Sequence, residues 1–140
     1  MQHISRSEAD TASIAAALAP TLKAGDVVCL HGALGMGKSV FARALIRTLC
    51  NDSGLDVPSP TFTLVQVYET DGPPVWHFDL YRLEDPDEIF ELGWEEARAS
   101  AILLAEWPER IGPLLPQRRI DIQIENEGES ARRITVSGLP

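Results

Sequence analysis

Residues 31–40 read HGALGMGKSV. Gly32, Gly37, Lys38 and Ser39 meet the phosphate-loop pattern G-x-x-x-x-G-K-[ST]. Before the pattern, Val27-Val28-Cys29-Leu30 is a short apolar run of the kind a buried parallel strand makes. After it, Phe41, Ala44, Leu45 and Leu49 recur at i, i+3, i+4 and i+8, one face of an amphipathic helix. A glycine-rich turn between strand and helix curls successive N–H groups round an anion at the positive helix end. Gly32, Leu34, Gly35, Met36, Gly37, Lys38, Ser39 and Val40 are therefore expected to hold a nucleotide's phosphates. Lys38 is expected to reach the β- and γ-phosphates, and the Ser39 hydroxyl to bind Mg²⁺.

The rest of the composition fits one soluble domain spanning residues 1–140, of 15.4 kDa, with an ordinary hydrophobic share of 44%. Cys29 and Cys50 have no metal-ligand spacing and suit a reducing compartment. The opening MQHISRSEAD has neither a basic region nor an apolar one, and residues 11–22 are too short a run to span a bilayer. The expectation is a cytoplasmic protein with no membrane partner. Net charge is −9, and Lys23 and Lys38 are the two lysines among twelve basic residues. Such a chain grips a phosphate backbone poorly, so any dealing with nucleic acid should be indirect.

Along the chain, residues 8–19 read as a helix capped by Ser7 or Thr11 and ended by Pro20. Residues 61–69 and 75–82 read as strands of a hairpin turned by TDGPP, and residues 86–98 as one acidic helix. Residues 99–105 form an apolar run ending at Glu106, and 119–124 and 132–136 read as a closing antiparallel pair. Strands interleaved with helices make this an α/β chain of phosphate-loop NTPase type. Its central sheet is mostly parallel, with antiparallel additions and flanking helices.

A phosphate loop needs a second metal ligand, an acid at the carboxyl end of a neighbouring strand. Glu106 closes a run apolar on both faces and is assigned with Ser39 to the Mg²⁺ site. Asp79 lies in WHFDLYR, where period two puts His77, Asp79 and Tyr81 on the face opposite Trp76, Phe78 and Leu80. Asp79 is assigned to the outer shell of the metal or to orienting the attacking water; the plainer alternative is an ion pair with Arg82. His77 reads as a satisfied structural histidine. Thr61, after Pro58 and Pro60, stands at the mouth of a strand, where a switch threonine would sense the γ-phosphate. A turn threonine bonding its own backbone is the alternative.

Five segments coincide in order: GALGMGKS, SPTFTLVQVYE, HFDLYRLEDPDE, ELGWEE and ILLAEWPERIGPLLP. Together they resemble the TsaE family, also called YjeE, over about residues 7–120. The resemblance implies a small ATPase, binding ATP or ADP with Mg²⁺, that works with TsaB and TsaD. That pair transfers a threonylcarbamoyl group to adenosine 37 of tRNA, and ATP hydrolysis supports its turnover. tRNA would be met only through the complex. Matching positions carry the family roles to Lys38, Ser39, Thr61, Asp79 and Glu106.

The chain departs from the family's loop at Ala33, Met36 and Val40, which leaves every backbone donor and the lysine in place. A small-molecule kinase would need a lid and paired arginines, for which only Arg43, Arg47 and Arg82 are available. A nucleotide-sensing adaptor without hydrolysis is the other alternative. Residues Glu8 to Thr11 are expected to cover the adenine, although no motif carries that reading. Between Glu84 and Glu96 stand seven acids and no base, interleaved with Ile89, Phe90, Leu92 and Trp94. That stretch, with the Thr61 loop, is expected to dock the partners, with Trp94 as an aromatic anchor.

Overall fold

The sequence's alternation of strand and helix signals resolves into β1 (Gln2–Ser5), α1 (Glu8–Leu18), β2 (Val27–His31) and α2 (Lys38–Leu49). Then come β3 (Val65–Tyr68), β4 (Val75–Asp79), α3 (Trp94–Ser100), β5 (Ile102–Glu106), β6 (Ile120–Glu127) and β7 (Ala131–Ser137). These come from a computed structural model that describes residues 1–33 and 35–138. Among the described residues the strands form one seven-stranded sheet in the order β1-β7-β6-β2-β5-β4-β3.

The centre is parallel: β2 pairs with β5 and with β6, and β5 with β4. The margins are antiparallel, through β7 on β6, β1 on β7 and β3 on β4. A parallel centre needs cover on both faces, and successive residues supply it by alternation. Val28, Leu30 and Leu104 join Ala15, Leu18, Phe41, Leu45 and Ile46 of α1 and α2 in one core. Val27, Cys29, Leu103 and Ala105 face the other way, into a second core with Phe78, Ile89, Trp94, Ala97 and Ile111. Each large apolar side chain so buried contributes about 1.5–3 kcal/mol. The carboxyl ends of β2, β4 and β5 converge where this order places β2 centrally, as open α/β sheets place their ligand sites.

Ser7 is the cap of α1: its side chain accepts from the Asp10 N–H at 3.1 Å, and Thr11 lies inside the helix. Three sequence expectations need correction. The strand expected over 61–69 starts only at Val65, because Pro60 to Thr63 turn and Leu64 takes φ 69, its N–H bonded to the Pro60 carbonyl at 2.7 Å. The helix expected over 86–98 is broken in two. A 3₁₀ segment, Pro86–Leu92, ends at Gly93 (φ 88), after which α3 begins. A Cβ at Gly93 would meet Trp76 at 2.9 Å, so both the conformation and the close approach require glycine.

The third correction concerns Trp94. It is 1% exposed and meets Phe78 edge to face at 5.2 Å between ring centres, so it is a core residue and no docking anchor. Acidic neighbours disguised it. Ile89 is buried as well, whereas Phe90 is 43% exposed.

Candidate functional site

The loop after β2 leaves the sheet at Gly32, whose φ of 148 and whose approach to β6 exclude a side chain; a Cβ there would lie 2.8 Å from the Ile124 carbonyl oxygen. The loop ends at Gly37, the left-handed N-cap of α2 (φ 98), which has no side chain to bond the first turn. The free N–H groups of a helix start and its dipole favour an anion there. Leu34, expected to contact phosphate, lies outside the described residues.

Lys38 opens α2 and is 6% exposed, and its Nζ has no hydrogen-bond partner among the described residues. Nζ instead lies 3.5 Å from the centre of the Trp107 ring, a cation–π contact. Burial holds the ammonium below its ordinary range, against the opposing pull of Glu106, Glu109 and Asp79. A buried ammonium with vacant donors is costly unless an anion meets it.

Two carboxylates stand opposite. Asp79 ends β4 and Glu106 ends β5, and the two are register partners across the parallel pair. Both are buried, at 6% and 7% exposure. Asp79 Oδ1 accepts the Tyr81 N–H at 3.1 Å, and Oδ2 accepts the Thr61 hydroxyl at 3.2 Å. Thr61 Oγ1 is also 2.7 Å from Ser59 Oγ. Glu106 Oε2 lies 2.7 Å from His77 Nε2. Arg82 forms no ion pair with Asp79 among the described residues; its guanidinium lies over the Phe62 ring.

Lys38, Ser39, Thr61, Asp79, Glu106 and Trp107 line one cleft of about 370 Å³. The same loop borders a second cavity of about 250 Å³, between Gly35, Met36, Gly37 and Val40 on one side and Ser5, Ser7, Glu8, Thr11 and Arg132 on the other. Glu8 and Thr11, expected to cover the adenine, line this cavity with the loop.

Residues 5–134 match the family model described as threonylcarbamoyl adenosine biosynthesis protein TsaE. The chain belongs to the TsaE family.

Among curated TsaE proteins, that of Rickettsia felis is 41% identical over 133 residues, covering 95% of this chain and 77% of the relative. That of Aquifex aeolicus is 40% identical over 133 residues, covering 95% and 92%. The crystal structure of YdiB from Bacillus subtilis superposes with a TM-score of 0.79 at 30% identity, covering 100% of this chain and 86% of that one. The TsaE family takes part in making threonylcarbamoyladenosine in tRNA.

Sequence reasoning on this TsaE chain gave no functional role to four residues that stand beside the loop and the two carboxylates. Trp107 follows Glu106 directly and sits at φ 57, a strained position for a bulky residue, which no periodicity reveals. Arg132 and Ser5 reach the loop only because β7 and β1 return along the sheet margin. His77 was read as a satisfied structural residue. One of its nitrogens meets Glu106, but Nδ1 is buried with no partner among the described residues.

Proposed function

We propose that this TsaE protein is a Mg²⁺-dependent ATPase that works with TsaB and TsaD in threonylcarbamoyl transfer to adenosine 37 of tRNA. The observation that carries the reading is Lys38: a buried cation without a hydrogen-bond partner among the described residues, at an uncapped helix start, facing two buried carboxylates. Phosphate oxygens would satisfy it.

The donor set suits magnesium. Ser39 and Glu106 offer oxygen, and no cluster of three or more His, Cys, Asp or Glu occurs among the described residues. Magnesium is commonly held by one or two protein oxygens together with the nucleotide's own phosphates. When bound, it supplies charge neutralisation across the β- and γ-phosphates. Lys38 lies against the same phosphates, and the N–H groups from Gly35 to Val40 fix their position. Asp79, tied to Thr61 through Oδ2, orients the attacking water, and Thr61 reports the γ-phosphate. The nucleoside lies in the second cavity, under Glu8 and Thr11 and beside Arg132.

Charge supports an indirect role toward tRNA, since the net value is −9. Partner docking falls to two exposed aromatics, Phe62 (83% exposed), next to Thr61 in the chain, and Phe90, which stands among the acids of residues 84–96. No helix among the described residues is long and apolar enough to cross a membrane. The arginines a kinase would pair are not gathered: Arg47 donates to the Leu55 carbonyl, and Arg82 covers Phe62.

The test is reconstitution of tRNA modification with TsaB and TsaD, an activated threonylcarbamoyl donor, ATP and Mg²⁺. Modification over many turnovers should require this protein and stop when the metal is chelated. Undiminished turnover without it would overturn the proposal.

A further inference from the structure

His77 is 2% exposed, deep in β4, two residues before Asp79 and on the same face. Its Nε2 lies 2.7 Å from Glu106 Oε2, and the pair borders a cavity of about 100 Å³ together with Ser39, Arg43 and Ser59. Its other nitrogen, Nδ1, is buried without a partner among the described residues. An apolar side chain would fill this volume without the desolvation penalty of an unpaired nitrogen. What it could not do is hold the carboxylate.

Glu106 needs holding. Its carboxylate ends a flexible side chain whose rotamer freedom opposes a fixed position. Its only side-chain hydrogen bond among the described residues is the one to His77. We infer that His77 is the positioning residue of the metal site: Nε2–H donates to Glu106 Oε2 and aims the other oxygen, Oε1, at the cation beside Ser39. The inference rests on the reading of Glu106 as a metal ligand. Side chains that hydrogen-bond a metal ligand from behind are worth about 10–100-fold in metal affinity.

The opposite arrangement is also chemically sensible and distinguishable. If His77 competed with the cation for Glu106, its removal would tighten metal binding.

The experiment is Mn²⁺ binding to the ADP complex, followed by electron paramagnetic resonance, for wild type, Glu106→Gln, His77→Leu and His77→Gln. Metal-free ADP affinity is measured in parallel. Glu106→Gln should weaken Mn²⁺; if it does not, the ligand reading itself fails. Given that control, His77→Leu should raise the Mn²⁺ dissociation constant about tenfold with metal-free ADP affinity unchanged. His77→Gln, which keeps an N–H at similar reach, should recover most of the loss. Wild-type Mn²⁺ affinity in His77→Leu, or tighter binding, overturns the inference. Should His77→Leu fail to fold, ¹⁵N-histidine spectra of the wild type decide: Nε2 must carry the proton before and after Mg²⁺-ADP is added. An unprotonated Nε2 also overturns it.

Discussion

The ammonium of Lys38 lies 3.5 Å from the centre of the Trp107 ring. The contact joins the first residue of α2 to the residue after Glu106, so the loop lysine and the end of β5 hold each other. Tyr81 continues the stack, 5.0 Å from Trp107, and Arg110 lies over Tyr81 at 5.2 Å.

Removing the lysine should separate binding from stability. Lys38→Ala loses the cation between the phosphates, and calorimetry should show Mg-ATP affinity down more than about tenfold, or 1.4 kcal/mol. Lys38→Arg should not rescue it, because a planar fork does not fit a site shaped for a point charge. Lys38→Met keeps the volume without the unpaired donors, so its melting temperature without nucleotide should rise by about 3 °C. A Lys38→Met protein that binds Mg-ATP normally would contradict the first expectation, and one whose melting temperature does not rise would contradict the second.

The lowered protonation range of Lys38 has a sign that can be measured. Between that lowered value and the ordinary one of 10.5, the unfolded chain binds more protons than the folded one. Stability from this group therefore rises with pH across the window, and its penalty is fully present below it. Phosphate contact reverses the shift, so nucleotide binding in the window should take up protons. Calorimetry in buffers of different ionisation enthalpy would detect the uptake, and Lys38→Met should abolish it.

The acidic segment divides into structural and exposed parts. Trp94→Ala should cost about 3–5 kcal/mol in chemical denaturation, as truncation of a buried aromatic does. Glu88 closes a capping box by accepting the Asp85 N–H at 3.1 Å, so reversing its charge perturbs the fold. Glu91 and Glu95 are free of that role. Replacing both with lysine, or Phe62 with alanine, should weaken TsaB–TsaD association while Mg-ATP affinity stays within about twofold. Unchanged association in these folded variants would move the docking surface elsewhere.

The two cysteines should differ in reactivity. Burial, reinforced by Asp121, pushes the Cys29 thiol up to about 12, whereas Cys50 is only partly buried. Iodoacetamide at mildly alkaline pH should label Cys50 and leave Cys29 untouched, which mass spectrometry would read directly.

How much of this was legible in the sequence depends on the range of the interaction. Periodicity revealed β2, α2 and the faces of β4, because each is a local pattern reinforced by burial. Asp79 and Glu106 were singled out as acids at the ends of strands, and the structure makes them register partners. β1 was missed: QHIS is too short to show alternation, and its order comes from pairing with β7, more than 100 residues away. Trp94 was misread because its neighbours' charges resemble an interface rim, while its own side chain turns inward after the break at Gly93. His77 and Trp107 needed three-dimensional contacts, with Glu106 and Lys38, that no spacing encodes.

The most direct measurement of the central claim is a paired one on Glu106→Gln: Mg-ATP affinity by calorimetry, and phosphate release in the presence of stoichiometric TsaB and TsaD. The amide keeps the shape of the carboxylate but loses its charge. The account predicts that Mg-ATP still binds, weakened about tenfold in step with the lost metal contact, while phosphate release at saturating Mg-ATP slows by about 100-fold or more. Phosphate release at the wild-type rate would contradict it.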